Sequence, residues 1–329
     1  MASPLRLTIA RGELPDDVAC VAADAAWTIV RATFEVAEAT MSRFQEESEL
    51  TGLNRRSPGA APISRPLERA LSAADRARRM TGGRFDPRVI EALERIRYLG
   101  VAQARTETDA SPGRVRGNGR IFERRGRTGH VAVPRPVDLG GIGKGLALRW
   151  AANALDASIV GTGDPRIGYL IDAGGDIVAS GSPGGEAPWL VAIEDPSGEP
   201  GDQVGAPGAP GGAPEPVAVV AIRDRAAVAT SSIRRLRWQH DGRTVHHLID
   251  PRTGEPGGDG LASVTVAASD PAWAEVWSKA LFLEGADRIT ALARARGLAA
   301  WWVATGGRLE MTAAARLETA WVAGEAARS

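Results

Sequence analysis

The sequence predicts an α+β fold in which helices flank a mixed, largely antiparallel β-sheet. Helical patterns come first along the chain, and strand patterns cluster later. This order favours segregated helices and strands over a regular βαβ repeat. The chain has 329 residues, of which 43% are hydrophobic and 24% are charged. These values suit one globular domain spanning residues 1–329.

The helices are predicted from the spacing of apolar residues and from the residues that favour helix ends. Spaced apolar residues in an Ala-rich stretch predict a helix over residues 17–40, and a second is predicted over 64–80. A third is predicted over 87–98, because Pro87 lacks the N–H that the first turn of a helix leaves unpaired. Two further helices are predicted from the same spacing, over residues 146–155 and 274–285.

The strands are predicted from β-branched runs and from glycine-rich turns. The stretch "IGYLIDAGGDIVASG" predicts a strand, a Gly-Gly turn and a second strand. Further strands are predicted over residues 217–222, 244–250, 261–268 and 297–304. Two segments lack the apolar residues of a core: a Gly- and Arg-rich hairpin or mobile loop at 111–129 and a flexible Pro/Gly-rich insertion at 196–216.

Composition argues against several classes of function. Forty basic and forty acidic residues cancel, so no basic excess attracts nucleic acid or an anionic membrane. No apolar run reaches the roughly 18 residues that a membrane-spanning helix needs. The single cysteine, Cys20, excludes an intrachain disulfide and suits a reducing compartment. We therefore expect a cytoplasmic protein with no nucleic-acid partner and no membrane span.

The stretch "GGIGKG", residues 140–145, is a candidate anion site. It is not a P-loop, because Asp138 and Gly145 stand where that motif needs Gly and Ser or Thr. It is not a dinucleotide fingerprint, because Leu146 replaces the last glycine. Free N–H groups at a helix N-terminus beside Lys144 favour an anion. A tight turn against a sheet is an equally good interpretation.

Two other motifs carry candidate chemistry. Neighbouring His246 and His247 point to opposite faces of a strand, so only one can serve a given site, and a purely structural histidine is the alternative. Glu275 and Lys279 stand four residues apart on one helix face. They form either a surface ion pair or a pair that stands at the positions where metal ligands would be expected.

Seven segments taken together resemble the ApbE family, the FAD:protein FMN transferases. They occur in the family's order, and the resemblance covers about residues 41–310. The matching segments are residues 41–54, 81–87, 138–145, 171–181, 228–232, 246–256 and 274–285. The resemblance implies an ApbE-like, T-fold-related domain, which agrees with the α+β prediction.

In this family, the FMN half of FAD moves to a Thr or Ser hydroxyl of an acceptor protein, and AMP leaves. The resemblance implies that Lys144 lies near the phosphates and that His247 acts as general base or acid. The residues implied to contact FAD are Met41, Phe44, Ser48, Glu49, Asp86, Gly141, Gly174, Gly175, Asp176, Thr230 and Ser231. The implied positions of Mg²⁺ ligands are a main-chain carbonyl near Gly143 and the side chains of Glu275 and Lys279.

The chain departs from the family pattern at several of these places. Glu275 replaces Asp, and Lys279 replaces a Thr whose hydroxyl can bind Mg²⁺. An ammonium group has no lone pair for a metal, so Lys279 is expected to place its positive charge where the metal would be, paired with Glu275. We therefore expect no tight Mg²⁺ binding in the absence of nucleotide. Three further departures are Arg149 for an acidic residue, Ser232 for Gly and Arg234 for an aromatic residue.

Three functions stay open on the sequence. The first is an active FMN transferase, with the family's metal dependence or with an altered one. The second is an FAD-binding protein of the same fold that has lost or changed transferase activity. The third is a protein that has recruited a different nucleotide or acceptor. The retained Lys144 and His247 favour the first, whereas Glu275 and Lys279 favour the other two.

Overall fold

A computed structural model of the chain describes residues 4–10, 15–98, 119–126, 129–162, 168–196, 215–234 and 236–324. Most of the predicted insertion at 196–216 lies outside these ranges, as do residues 111–118 of the predicted hairpin or loop. The prediction that the insertion is flexible therefore stays a prediction.

Eight helices are described, and four of them begin at a side-chain cap. Ser64 caps α3 by accepting a hydrogen bond of 3.3 Å from the N–H of Leu67. Asp270 caps α6 by accepting one of 2.9 Å from the N–H of Ala272. The helices are α1 (Asp16–Met41), α2 (Glu49–Arg55), α3 (Arg65–Met80), α4 (Ile90–Arg95), α5 (Gly143–Thr162), α6 (Pro271–Phe282), α7 (Ala286–Ala295) and α8 (Ala313–Leu317).

The predicted helices over 17–40, 64–80, 146–155 and 274–285 are confirmed, although α5 continues to Thr162 and the other ends differ by a few residues. The helix predicted over 87–98 is wrong in extent, because α4 begins only at Ile90. The carboxylate of Asp86 accepts a hydrogen bond of 3.0 Å from the N–H of Arg88 and holds the preceding residues in a turn. At the other end, Arg97 has a φ of 64°, which ends the helix.

All described strand pairs are antiparallel, and seven strands form one central sheet in the order β1-β5-β6-β9-β14-β15-β16. Its strands are β1 (Leu5–Ala10), β5 (Gly168–Ala173), β6 (Asp176–Ser180), β9 (Ala226–Ser232), β14 (Leu261–Ala268), β15 (Ala299–Ala304) and β16 (Leu309–Met311). The predicted strand–Gly-Gly–strand unit is the hairpin of β5 and β6. The α+β fold class is confirmed.

The remaining strands form smaller sheets. They are β2 (Ala60–Pro62), β3 (Glu123–Arg124), β4 (His130–Ala132), β7 (Trp189–Glu194), β8 (Pro216–Ile222), β10 (Arg237–His240), β11 (Arg243–His246), β12 (Ile249–Asp250), β13 (Glu255–Pro256) and β17 (Thr319–Val322). The single strand predicted over 244–250 is wrong, because it breaks between His246 and Ile249. The N–H of Ile249 donates to the carbonyl of His247 at 3.1 Å, which turns the backbone there.

The central sheet is covered on both faces. Helices α1 and α5 cover one face, where Tyr169, Val178 and Ala229 are buried. The small sheet of β17, β8 and β7 covers the other face, where Trp301 and Val220 are buried. In this arrangement the N-terminal ends of α5 and β6 contact α6. None of the helices within the described ranges is both long and apolar enough to cross a membrane.

Candidate active site

Helices α5 and α6 approach each other closely at Gly145. A Cβ atom at this position would lie 2.5 Å from both Cα of Ala272 and the carbonyl oxygen of Pro271. The N–H of Gly145 donates a hydrogen bond of 2.8 Å to Oε2 of Glu275. Glu275 therefore accepts one of the free N–H groups at the start of α5, on a buried side chain that is 5% exposed.

Asp176 joins α5 to the central sheet. It follows the turn at Gly174 and Gly175, where φ values of 68° and 94° require glycine. One carboxylate oxygen forms an ion pair with Nζ of Lys144, and the other accepts a hydrogen bond of 3.1 Å from the N–H of Thr230. The ammonium of Lys144 is thus held by a buried carboxylate at the N-terminus of α5.

Hydroxyl groups of β9 continue this site toward α6. The hydroxyls of Thr230 and Thr265 are 2.9 Å apart, and those of Ser231 and Ser278 are also 2.9 Å apart. These contacts connect β9 to β14 and to α6. The predicted residues Asp176, Thr230, Ser231 and Glu275 are therefore brought to one region by three different elements, β6, β9 and α6.

Lys279 lies on the other side of the α5 N-terminus, against Gly141. A Cβ atom at Gly141 would overlap Nζ of Lys279 and would lie 3.0 Å from the ring of Phe85. The expected close pairing of Lys279 with Glu275 is not found: the ammonium of Lys279 forms neither a hydrogen bond nor a close ion pair with a described residue, although the charge of Glu275 acts on it from farther away. The surface-pair alternative is wrong too, because Glu275 is buried and Lys279 partly buried.

The charges of this region act on one another. Burial raises the pKa of Glu275 to about 7, although the charges of Lys144 and Lys279 oppose the shift. Burial lowers the pKa of Lys279, against the opposing charges of Glu275 and Asp138. Burial also acts to lower the pKa of Lys144, but the negative charges of Asp176 and Glu275 have the larger effect, so the pKa of Lys144 is raised. Two ammonium groups and three carboxyl groups thus share a desolvated region.

His247 lies beside the two lysines. Burial, followed by the charge of Lys279, lowers the pKa of His247 to about 3, and the charge of Lys144 contributes in the same direction. Its Nδ1 atom is buried and has no hydrogen-bond partner. The neighbouring His246 faces away, with its ring edge-on to Phe282 at 6.0 Å. The prediction that only one of the two histidines serves the site agrees with this arrangement.

Aromatic rings form a wall next to His247. The ring of Tyr98 lies 5.8 Å from that of His247, and 5.8 Å from the half-exposed ring of Phe44. The guanidinium of Arg43 lies 4.4 Å from the centre of the Phe44 ring and 3.3 Å from Asp138. Sequence analysis missed Tyr98, since no local pattern marks it. It missed Arg43 as well, although Arg43 lies inside the matching segment 41–54.

Four of the residues implied to contact FAD have local structural contacts. Met41 is buried in the core at the end of α1. Ser48 caps α2 by accepting a hydrogen bond of 3.1 Å from Thr51, and Glu49 accepts one of 2.6 Å from the hydroxyl of Ser64. Asp86 forms a buried ion pair of 2.6 Å with Arg88.

The residues at the implied metal positions do not fit a divalent cation. Lys279 offers an ammonium group, which cannot donate an electron pair to a metal. The carboxylate of Glu275 already accepts the Gly145 N–H. In the described ranges, no three His, Cys, Asp or Glu side chains are grouped as metal ligands. No step of the proposed chemistry is therefore assigned to a metal.

Comparison with known proteins decides the family. A sequence model described as the ApbE family matches residues 1–302. This chain belongs to the ApbE family. A solved structure of an ApbE protein from Thermotoga maritima covers 96% of this chain and of its own, with a TM-score of 0.76 and 23% identity. At this identity the likeness supports the ApbE fold.

Relatives of this ApbE-family chain carry the name FAD:protein FMN transferase. One from Klebsiella pneumoniae is 30% identical over 171 residues, which cover 52% of this chain and 43% of that protein. One from Haemophilus influenzae is 25% identical over 298 residues, which cover 83% of this chain and 77% of that protein. The chain thus matches less than half the length of the Klebsiella relative.

Proposed function

We propose that this chain is an FAD:protein FMN transferase, which moves FMN from FAD to a Thr or Ser hydroxyl of an acceptor protein and releases AMP. The observation that carries the proposal is the meeting of Lys144, Lys279 and a neutral His247 at the N-terminus of α5. Cations at the positive end of a helix dipole suit the diphosphate of FAD. The relatives' printed names support the same activity.

In the proposed reaction, the acceptor hydroxyl oxygen attacks the phosphorus of the FMN half. The bond from this phosphorus to the oxygen that bridges to AMP breaks, and AMP leaves with that oxygen. The hydroxyl proton passes to His247, whose imidazole is neutral because burial and the two lysines lower its pKa. The diphosphate, once bound at the lysines, offsets their charge and favours the protonated imidazole. Lys144 and Lys279 offset the negative charge that develops on the phosphoryl oxygens.

The contacts proposed for FAD follow from the same arrangement. The half-exposed ring of Phe44, beside Tyr98, offers an apolar surface for the flavin ring. Gly141, Gly174 and Gly175 let the backbone approach the ligand, as the resemblance implies. The acceptor protein, with its flavinylated Thr or Ser, and the cytoplasmic location stay predictions.

A second candidate function is FAD binding without transfer. It is favoured by Arg149, which replaces an acidic residue of the family pattern and forms an ion pair of 2.5 Å with Asp270 at the start of α6. This contact joins α5 to the cap of α6, the helix that carries Glu275, so this departure from the family pattern also lies beside the candidate site. Such a protein would bind FAD through the same lysines and would release no AMP.

One experiment separates the two functions. The purified protein is incubated with FAD and an acceptor flavoprotein domain, with EDTA or with Mg²⁺. AMP is measured by chromatography, and FMN on the acceptor by mass spectrometry. Release of AMP with a matching FMN adduct supports transfer. FAD binding without AMP or adduct supports the second candidate, and no FAD binding contradicts both.

Two histidine variants provide a matched pair for that experiment. His247→Gln removes the proposed proton acceptor, so transfer should fall by at least about a hundredfold, the usual contribution of a general base. FAD binding should stay near the wild-type value. His246→Gln alters the neighbouring ring, which faces Phe282, and should retain most of the activity. Equal losses in both variants would contradict the role of His247.

A further inference from the structure

The chain contains two lysines among its 40 basic residues, and both lie in the candidate site. Arginine occupies every other basic position, including all the exposed ones. A compositional preference for arginine therefore does not account for Lys144 and Lys279. An ammonium group is more compact than a guanidinium and fits where a planar fork does not. The close contact of Lys279 with Gly141 shows this limit on space.

The two lysines differ in their partners. Lys144 forms an ion pair with the buried carboxylate of Asp176. The ammonium of Lys279 forms no hydrogen bond or close ion pair with any residue in the described part of the chain, and Glu275 and Asp138 act on it only from farther away. A partly buried ammonium group without a partner has lost water contacts and gained no close anion in return. It therefore has the capacity to bind an anionic ligand group.

We propose that Lys279 binds the diphosphate of the dinucleotide directly, in place of a divalent cation, so that FAD binding requires no Mg²⁺. This inference rests on the proposed function and extends it to the mode of substrate binding. The ammonium lies against Gly141, in the loop that leads into α5, beside the positive end of the helix dipole. Diphosphate bound there contacts one fixed cation and the helix N-terminus together.

The surrounding charges favour this arrangement over a metal. Asp176 is neutralised by Lys144, and Asp138 lies 3.3 Å from the guanidinium of Arg43. Glu275 accepts the N–H of Gly145. The carboxylates that would attract a divalent cation thus already have partners, and Lys279 would repel such a cation. An arriving diphosphate would in turn favour the charged form of Lys279.

The first test uses the wild-type protein. FAD affinity is measured by fluorescence quenching in EDTA and in millimolar Mg²⁺. We expect dissociation constants that agree within about twofold. With isotope-labelled lysine, the NMR spectrum holds one side-chain signal for each of the two lysines, and Lys144→Arg assigns them. FAD in EDTA should shift the Lys279 signal, and Mg²⁺ alone should shift neither.

The second test uses variants. Lys279→Met should weaken FAD binding in EDTA by at least about tenfold. Arg308→Met removes the same charge from a side chain that is 76% exposed and should leave the affinity within about twofold. The double variant Glu275→Asp, Lys279→Thr should bind FAD more tightly with Mg²⁺ than with EDTA. Thermal melting checks that each variant is folded. If Lys279→Met does not fold, the FAD and NMR measurements on the wild-type protein test the inference.

The outcomes separate this inference from the transferase function. The inference is overturned if FAD affinity rises more than about tenfold with Mg²⁺, or if Lys279→Met leaves the affinity unchanged. Either result leaves FMN transfer possible. Metal-independent FAD binding without AMP release supports the inference and contradicts the transferase. A protein that binds no FAD in either buffer contradicts both.

Discussion

The N–H of Gly145 donates a hydrogen bond of 2.8 Å to Oε2 of Glu275, and this bond holds the first turn of α5 against α6. The two helices can form it only because position 145 has no side chain. The contact brings the α5 N-terminus, with Lys144, close to the helix that carries Lys279. It is therefore the geometric basis of the candidate site, and its removal gives the first prediction.

Gly145→Ala should destabilise the protein by about 2 kcal/mol, since overpacking a tight contact costs about 1–3 kcal/mol. The added Cβ would lie 2.5 Å from backbone atoms of Pro271 and Ala272, which cannot move independently of α6. The free energy of unfolding is measured by urea denaturation. Gly143→Ala is the matched control, because its Cβ would meet nothing within 4 Å. Equal stabilities of the two variants would contradict the close contact.

Asn54→Ala should destabilise the protein by about 3 kcal/mol, because it leaves two buried backbone groups without partners. The Asn54 amide donates to the carbonyl of Val137 at 2.8 Å and accepts from its N–H at 2.9 Å. Urea denaturation is again the measurement. Gln239→Ala removes an exposed side-chain hydrogen bond to Thr244 and should stay within about 0.5 kcal/mol of wild type.

Asp176→Asn should cost about 2 kcal/mol of stability, because the amide still accepts a hydrogen bond from Thr230 but no longer neutralises Lys144. This value allows for the Lys144 side chain being 26% exposed. The exposed pair of Arg31 and Glu35, 3.7 Å apart, provides the comparison. Glu35→Gln should change stability by no more than about 0.5 kcal/mol. A similar effect for both variants would show that the Lys144–Asp176 pair is solvated.

His247 should contribute a loss of stability as the pH falls, whereas Glu275, with its pKa raised to about 7, contributes a gain over part of the same range. The pKa of His247 is about 3 in the folded protein and near the ordinary value of 6.5 after unfolding. Between these values the unfolded chain binds more protons, so the contribution of His247 is complete above 6.5 and is lost toward pH 3. One such group lowers stability by at most about 1.4 kcal/mol per pH unit.

His247→Gln should therefore show a shallower loss of stability between about pH 6 and pH 4 than the wild type does. Unfolding free energies from urea denaturation at several pH values measure the slope of each protein. A comparison above about pH 7, where His247 is largely neutral in both the folded and the unfolded protein, corrects for any direct effect of the substitution. Parallel slopes would mean that His247 is not desolvated in the folded state.

Local sequence patterns predicted the parts of the fold that depend on local physics. Asp270 and Pro271 mark the start of α6, because a side-chain cap and a residue without an N–H both suit a first helical turn. Gly174 and Gly175 mark the β5–β6 turn, because it needs positive φ. The break after His246 was missed, since a two-residue turn leaves the β-type composition of the segment unchanged.

The candidate site was predicted only in part. The sequence placed Lys144 at a helix N-terminus and Glu275 and Lys279 on one helix face, because helical periodicity determines which side chains share a face. It expected these last two to pair, and they do not. The proximity of Tyr98 to His247 had no sequence signal, because their separation along the chain says nothing about their contact across the fold.

By itself, the sequence thus determined the α+β class, the order of its main elements and the chemical types available to the site. Only the tertiary structure decided which partner each charge has: Asp176 for Lys144, the N–H of Gly145 for Glu275 and no described partner for Lys279. The physical reason is that secondary structure depends on neighbours along the chain. A buried charge instead depends on how elements from distant parts of the chain pack around it.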